Sequence, residues 1–126
     1  MSNPNGEKGA RFEKAIADRL QLDLPYLEIS RARKRGSDDT GDIAGLPWIV
    51  IEAKDRSPYD IPGALRQAKI AAGKKGVQDY VVVVKLRNRN IDEAIFIMPL
   101  GQGSRWLAER DASMRSESQQ NFPDKK

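Results

Sequence analysis

Cysteine and histidine are both absent from this chain of 126 residues. Without cysteine there is no disulfide framework, no thiolate zinc site and no cysteine nucleophile. Without histidine there is no imidazole acid–base chemistry, no serine triad built on it and no histidine–metal site. Aromatic residues make up only 6%, and Trp48, Tyr59 and Trp106 are not interleaved with the basic residues, which argues against a stacking platform for single strands. Apolar runs long enough to span a bilayer are missing, and residues 1–5 are too polar for a secretory signal. No membrane association and a cytoplasmic location are therefore expected. Catalysis, if any, is left with carboxylates, lysine and a hard cation held through oxygen.

What is present is charge. Charged residues make up 32% of the chain, the net charge is +4, the sequence pI is near 9.5 and the mean hydropathy is -0.64. This balance favours a polyanionic partner, with the distribution of charge mattering more than its total. The length suits one domain with a single modest core. Residues 1–6 are expected to be a flexible start, 7–112 the folded domain, and 113–126 a polar, disordered tail.

Periodicity predicts a helix over 6–22, with Phe12, Ala15, Ile16, Arg19 and Leu20 at helical spacing. Residues 26–30 alternate like a strand after Pro25, and 31–41 are polar enough for a loop. A hairpin is expected over 42–54, turning at Gly45-Leu46-Pro47. Asp60 is a plausible cap for a second helix reaching about Ala72, with Ile61, Leu65, Ala68 and Ala72 inward. The β-branched run 80–84 predicts a central strand buried on both faces. Residues 93–98 predict a further strand, ended by Pro99, and a short amphipathic helix follows from Gly103. The order α, β, β, β, α, β, β, α implies an α/β fold: one domain with a mixed sheet, begun by a three-stranded meander, and helices on both sides.

The chemistry concentrates at Gly41-Asp42-Ile43 and Ile49-Val50-Ile51-Glu52-Ala53-Lys54. Strand alternation turns Glu52 and Lys54 to one face and Ile49, Ile51 and Ala53 to the other. The expected hairpin returns Asp42 beside the end of the next strand, within cross-strand reach of Glu52. Two carboxylates beside a lysine are the minimum equipment for holding a divalent cation and activating water against a phosphodiester. Arg31, Arg33, Lys34 and Arg35 form the densest basic cluster and precede the acidic pair directly, so DNA contact is assigned to them. The clusters Lys69/Lys74/Lys75 and Lys85/Arg87/Arg89 are read as solvated faces.

An aspartate, a short turn and an apolar strand ending Glu-x-Lys resemble the signature of the PD-(D/E)XK nuclease superfamily, here without the proline before the aspartate. The stretch Lys8-Gly9-Ala10-Arg11-Phe12-Glu13 is similar to the helix opening of archaeal-type Holliday junction resolvases. Arg33-Lys34-Arg35-Gly36-Ser37, followed by Gly41-Asp42-Ile43, resembles their loop and first metal ligand. The resemblance runs from about Lys8 to Val84. It implies a restriction-endonuclease-like fold, with Asp42, Glu52 and the Ala53 carbonyl binding Mg2+ or Mn2+ and Glu13 completing the acidic cluster. Lys54 would serve the attacking water, while Ser37 and Gln67 match positions of a functional serine and a supporting glutamine. The expected activity is structure-selective cleavage of branched DNA, such as a four-way junction, by a homodimer. A duplex- or flap-directed nuclease and a non-catalytic binder of branched DNA are the alternatives.

Overall fold

Two parallel strands and the helix that links them organise the molecule, whose computed structural model describes residues 4–33 and 40–121. The elements are α1 (Pro4–Asp23), β1 (Ser30–Arg31), β2 (Ile43–Ala44), β3 (Ile49–Lys54), α2 (Ile61–Lys75) and β4 (Asp79–Val84), then a 3-10 turn (Ile91–Glu93), β5 (Ile95–Ile97) and α3 (Leu100–Asn121). The main sheet has the order β3-β4-β5. β3 runs parallel to β4, with Glu52 opposite Val82, and β5 is antiparallel to β4, with Phe96 opposite Val83. This is a mixed α/β domain.

Alternation in β3 and β4 divides the core between the two faces. On one face Ile49, Ile51, Val81 and Val83 pack with Phe12, Ile16 and Ala17 of α1. On the other, Val50, Val82 and Val84 pack with Ala64, Ala68, Ala71 and Ala72 of α2. β4 is therefore buried on both sides, as its β-branched run predicts. The helix face differs from expectation: Ala64 and Ala71 are buried, while Ile61 and Leu65 stay half-exposed. Small side chains let the helix backbone approach the sheet, so alanines rather than the larger residues make the close contact.

Asp60 caps α2, accepting a hydrogen bond from Gly63 N–H at 3.0 Å, as expected of an N-cap carboxylate. The helix passes Ala72 and ends at Gly76 in the left-handed conformation. Its last residue, Lys75, donates to the carbonyls of Leu46 and Ile49, tying the helix end to the turn before β3. Partial burial lowers the pKa of this ammonium below the ordinary lysine value.

Four expectations change. The strand expected over 26–30 shrinks to Ser30–Arg31 because the Gln21 side chain occupies the backbone groups a ladder would need. It donates to the Leu24 and Leu27 carbonyls at 2.9 and 2.6 Å and accepts from Ile29 N–H at 2.8 Å. The meander is also absent: among the described residues β2 pairs with β1, Arg31 opposite Ile43, and not with β3. Finally, the residues expected to form a disordered tail from 113 onward are helical as far as Asn121, and α1 likewise begins at Pro4 inside the expected flexible start.

The long α3 is anchored through its first two turns. Gln102 exchanges hydrogen bonds with the backbone of Tyr80 at 3.1 and 3.0 Å. Asp79 accepts from Arg105 and from Trp106 Nε1, and the Trp106 ring meets Trp48 edge-on with centroids 6.0 Å apart. Beyond Trp106, residues 107–118 are exposed throughout. Helices standing free of a body depend on their anchor, since isolated segments of this length are marginal in water. Asp79→Ala leaves two donors without their acceptor, which costs about 1–3 kcal/mol. Amide exchange across α3 is expected to accelerate while β3 and β4 keep their protection; uniform protection would remove Asp79 as the anchor.

Candidate metal and phosphodiester site

Asp42 reaches the open edge of β3 through its backbone and its side chain together. Its N–H donates to the Ile51 carbonyl at 2.8 Å, and its Oδ2 accepts from Ala53 N–H at 2.7 Å. The residue thus straddles Glu52. The expected closeness of Asp42 to Glu52 survives, although it arises from these two bonds rather than from a hairpin ladder. Gly41 permits the approach. It holds φ of +106°, and a Cβ there would lie 2.9 Å from Val50 Cγ1 and 3.1 Å from the Ile51 carbonyl oxygen, space that only glycine leaves open.

Both carboxylates are withdrawn from solvent: Asp42 is 2% exposed and Glu52 5%. Burying ionised carboxylates is costly unless hydrogen bonds or cations compensate, and Asp42 has such a bond from Ala53 N–H. Within a strand, the N–H and C=O of one residue leave by the same edge. Because Ala53 turns its N–H to Asp42, its carbonyl faces that edge too. Lys54, two residues after Glu52, shares Glu52's face of the strand and donates to Gln67 Oε1 on α2 at 3.1 Å. The lysine and glutamine expected from sequence are therefore in direct contact. A depression of about 590 Å³ opens beside them, lined also by Arg56, Tyr59 and Arg66.

The other expected site residues are placed differently. Glu13, 16% exposed at its side chain, accepts from Arg31 Nε at 2.8 Å, so one of the assigned DNA-contacting arginines is engaged by an assigned metal ligand. Among the described residues, no group of three acidic side chains gathers closely enough to hold a metal ion. Arg33 is exposed. Lys34, Arg35 and Ser37 lie outside the described residues. Arg56 and Arg66 were missed by sequence reasoning. Arg56 carries the i, i+2 spacing of Glu52 and Lys54 one step further, a signal already in the sequence, and Arg66 adjoins Gln67.

An all-oxygen donor set of two carboxylates and a strand carbonyl fits a small hard cation, which keeps several waters when held by one or two carboxylates. No nitrogen or sulfur donor competes, so zinc- or copper-type coordination is disfavoured by the ligand chemistry itself. A separate cleft of about 420 Å³ lies between α1 and β5, lined by Ile16, Arg19, Asp92 and Phe96. Its lining includes neither Asp42, Glu52 nor Lys54, and its charged groups pair with one another, Arg19 with Asp23 and Asp92. Among the described residues no helix is long and apolar enough to cross a membrane. No family model matches the chain, and neither curated proteins nor solved structures provide a significant match.

Proposed function

We propose that this protein is a metal-dependent DNA endonuclease of restriction-endonuclease-like fold, selective for branched DNA such as a four-way junction. The observation that carries the reading is Asp42 straddling the buried Glu52 on the edge of β3, with Lys54 beside them and held by Gln67. Two carboxylates buried around one strand residue suit a hard cation held against phosphate.

Asp42, Glu52 and the Ala53 carbonyl would hold Mg2+, with Mn2+ as a substitute. Such an ion supplies charge neutralisation at the phosphate and lowers the pKa of water. The chain's own residues do the rest. Asp42 is locked by the Ala53 N–H, so its carboxylate has little freedom and is oriented before any ligand arrives. Gln67 fixes the Lys54 ammonium through its side-chain carbonyl, leaving ammonium protons to orient a water or to offset phosphate charge. Preorganised charge of this kind is the main source of rate in phosphodiester hydrolysis. Removing the glutamine loosens the lysine without removing its charge. Gln67→Ala is accordingly expected to slow single-turnover cleavage by about tenfold, with DNA affinity little changed; an unchanged rate would make Gln67 a bystander.

A homodimer would set two such sites against opposed strands. Leu107 and Met114, exposed and seven residues apart on α3, support a second copy lying along that helix.

Magnesium-dependent cleavage of a labelled four-way junction, with its component duplex as competitor, tests the proposal. Paired cuts across the junction support it. Equal cutting of the duplex keeps the nuclease and retires the junction preference, and failure to cut any DNA rejects the enzyme.

A further inference from the structure

Beside the Lys54 depression lies a second one, of about 540 Å³, built from three separate parts of the chain. Lys8 and Arg11 come from α1, Arg56 from the segment after β3, and Lys85 and Arg87 from the segment after β4. β3 and β4 are parallel, so their following segments emerge at the same end of the sheet, where ligands of open α/β sheets are commonly bound. Five cations face one carboxylate, Asp55. The surplus in this one bowl equals the net charge of +4 carried by the whole chain, so the residues outside it balance in charge.

Internal pairing does little to quench them. Lys85 lies 3.7 Å from Asp55, and among the described residues Lys8, Arg11, Arg56 and Arg87 form no ion pair. Like charges held together repel, and a folded surface keeps such a cluster at a cost that an anionic ligand would remove. Arg56 and Tyr59 line both this bowl and the Lys54 depression, and Tyr59 is fixed by donating its hydroxyl to the Lys85 carbonyl. The two depressions therefore form one track, from Gln67 and Lys54 past Arg56 to Lys85, Arg87 and α1.

We propose that the bowl is a binding site for the phosphodiester backbone of nucleic acid, holding the phosphates that flank the one presented to Lys54. The flanking role rests on the nuclease reading, whereas backbone binding by the bowl does not. The cations contact phosphate without reading bases, so affinity is salt-dependent and indifferent to sequence. A single small anion would fill only part of so long a track.

The test is fluorescence anisotropy of a labelled four-way DNA junction in EDTA, across a salt series, with the full chain. The double substitution R11A/R87A removes two bowl cations that have no ion pair among the described residues. K69A/R110A removes the same charge elsewhere and serves as control, with circular dichroism checking that both fold. R11A/R87A is expected to bind about tenfold more weakly near 0.1 M salt and to flatten the slope of log affinity against log salt by about two. The control should stay near wild type. Equal losses in the two variants, or none in R11A/R87A, would overturn the proposal. So would saturation of the bowl by inorganic phosphate, followed by NMR shifts, together with unchanged DNA binding by R11A/R87A. If the wild-type protein cuts no DNA in magnesium yet R11A/R87A still loses affinity, the nuclease reading falls and the bowl stands. If it cuts and R11A/R87A binds normally, only the bowl falls.

Discussion

Asp42→Asn is expected to reduce magnesium-dependent DNA cleavage by on the order of 10³-fold or more while the protein remains folded. The two halves of that outcome come from different atoms. An asparagine oxygen can still accept the hydrogen bond that Ala53 N–H gives to Oδ2 at 2.7 Å, so stability should change by less than about 1 kcal/mol. The negative charge that a hard cation requires is lost, and with it metal affinity. Asp42→Ala removes the acceptor as well and should cost a further loss of about 1–3 kcal/mol from the stranded amide. Calorimetric titration with Mn2+, single-turnover cleavage and thermal unfolding of both variants separate these contributions. An asparagine variant that cuts at the wild-type rate would remove Asp42 from the site.

Gly41→Ala should cost both stability and cleavage through a single added methyl group at the site itself. The residue sits at φ of +106°, and the position a Cβ would take is already crowded by Val50 and the Ile51 carbonyl. A side chain in this backbone region costs about 1–3 kcal/mol from conformation alone, and displacing strand atoms in a packed sheet adds to it. A total of about 2–4 kcal/mol would lower the melting temperature by roughly 10 °C. Cleavage should fall even well below that temperature, because the same methyl group pushes Asp42 away from the Ile51 carbonyl to which its N–H donates at 2.8 Å. Unchanged melting would mean that the segment before β2 relaxes freely, and the claim that Gly41 seats Asp42 would fail with it.

Much of this molecule is legible in local pattern. The β-branched run around Val81–Val84 predicts a strand buried on both faces, and β4 is the central strand. Alternation places Glu52 and Lys54 on one face, which is the face that α2 covers, and Asp60 marks the start of that helix. These features depend on residues within a few positions of one another, where side-chain period and capping chemistry decide the outcome. The strand expected over 26–30 fails for a different reason: a side chain from α1, Gln21, takes the backbone groups of that segment. The helical stretch beyond 113 escapes pattern reading because its exposed surface carries no apolar stripe to signal it, only intrahelical pairs such as Arg115 with Asp111.

The sequence by itself determined the mixed α/β class, the central strand, the capped crossover helix and the shared face of Glu52 and Lys54. Tertiary structure alone decided that Asp42 meets β3 by two bonds rather than a ladder, that Glu13 turns to Arg31, and that cations from α1 and two strand ends form one bowl. Neighbours in the chain are held together by covalent geometry, so their relation can be read from spacing. Residues as far apart as Lys8 and Arg87 become neighbours only when the parallel pairing of β3 and β4 aligns the strand ends, and that pairing is fixed by the packing of helices on both faces of the sheet.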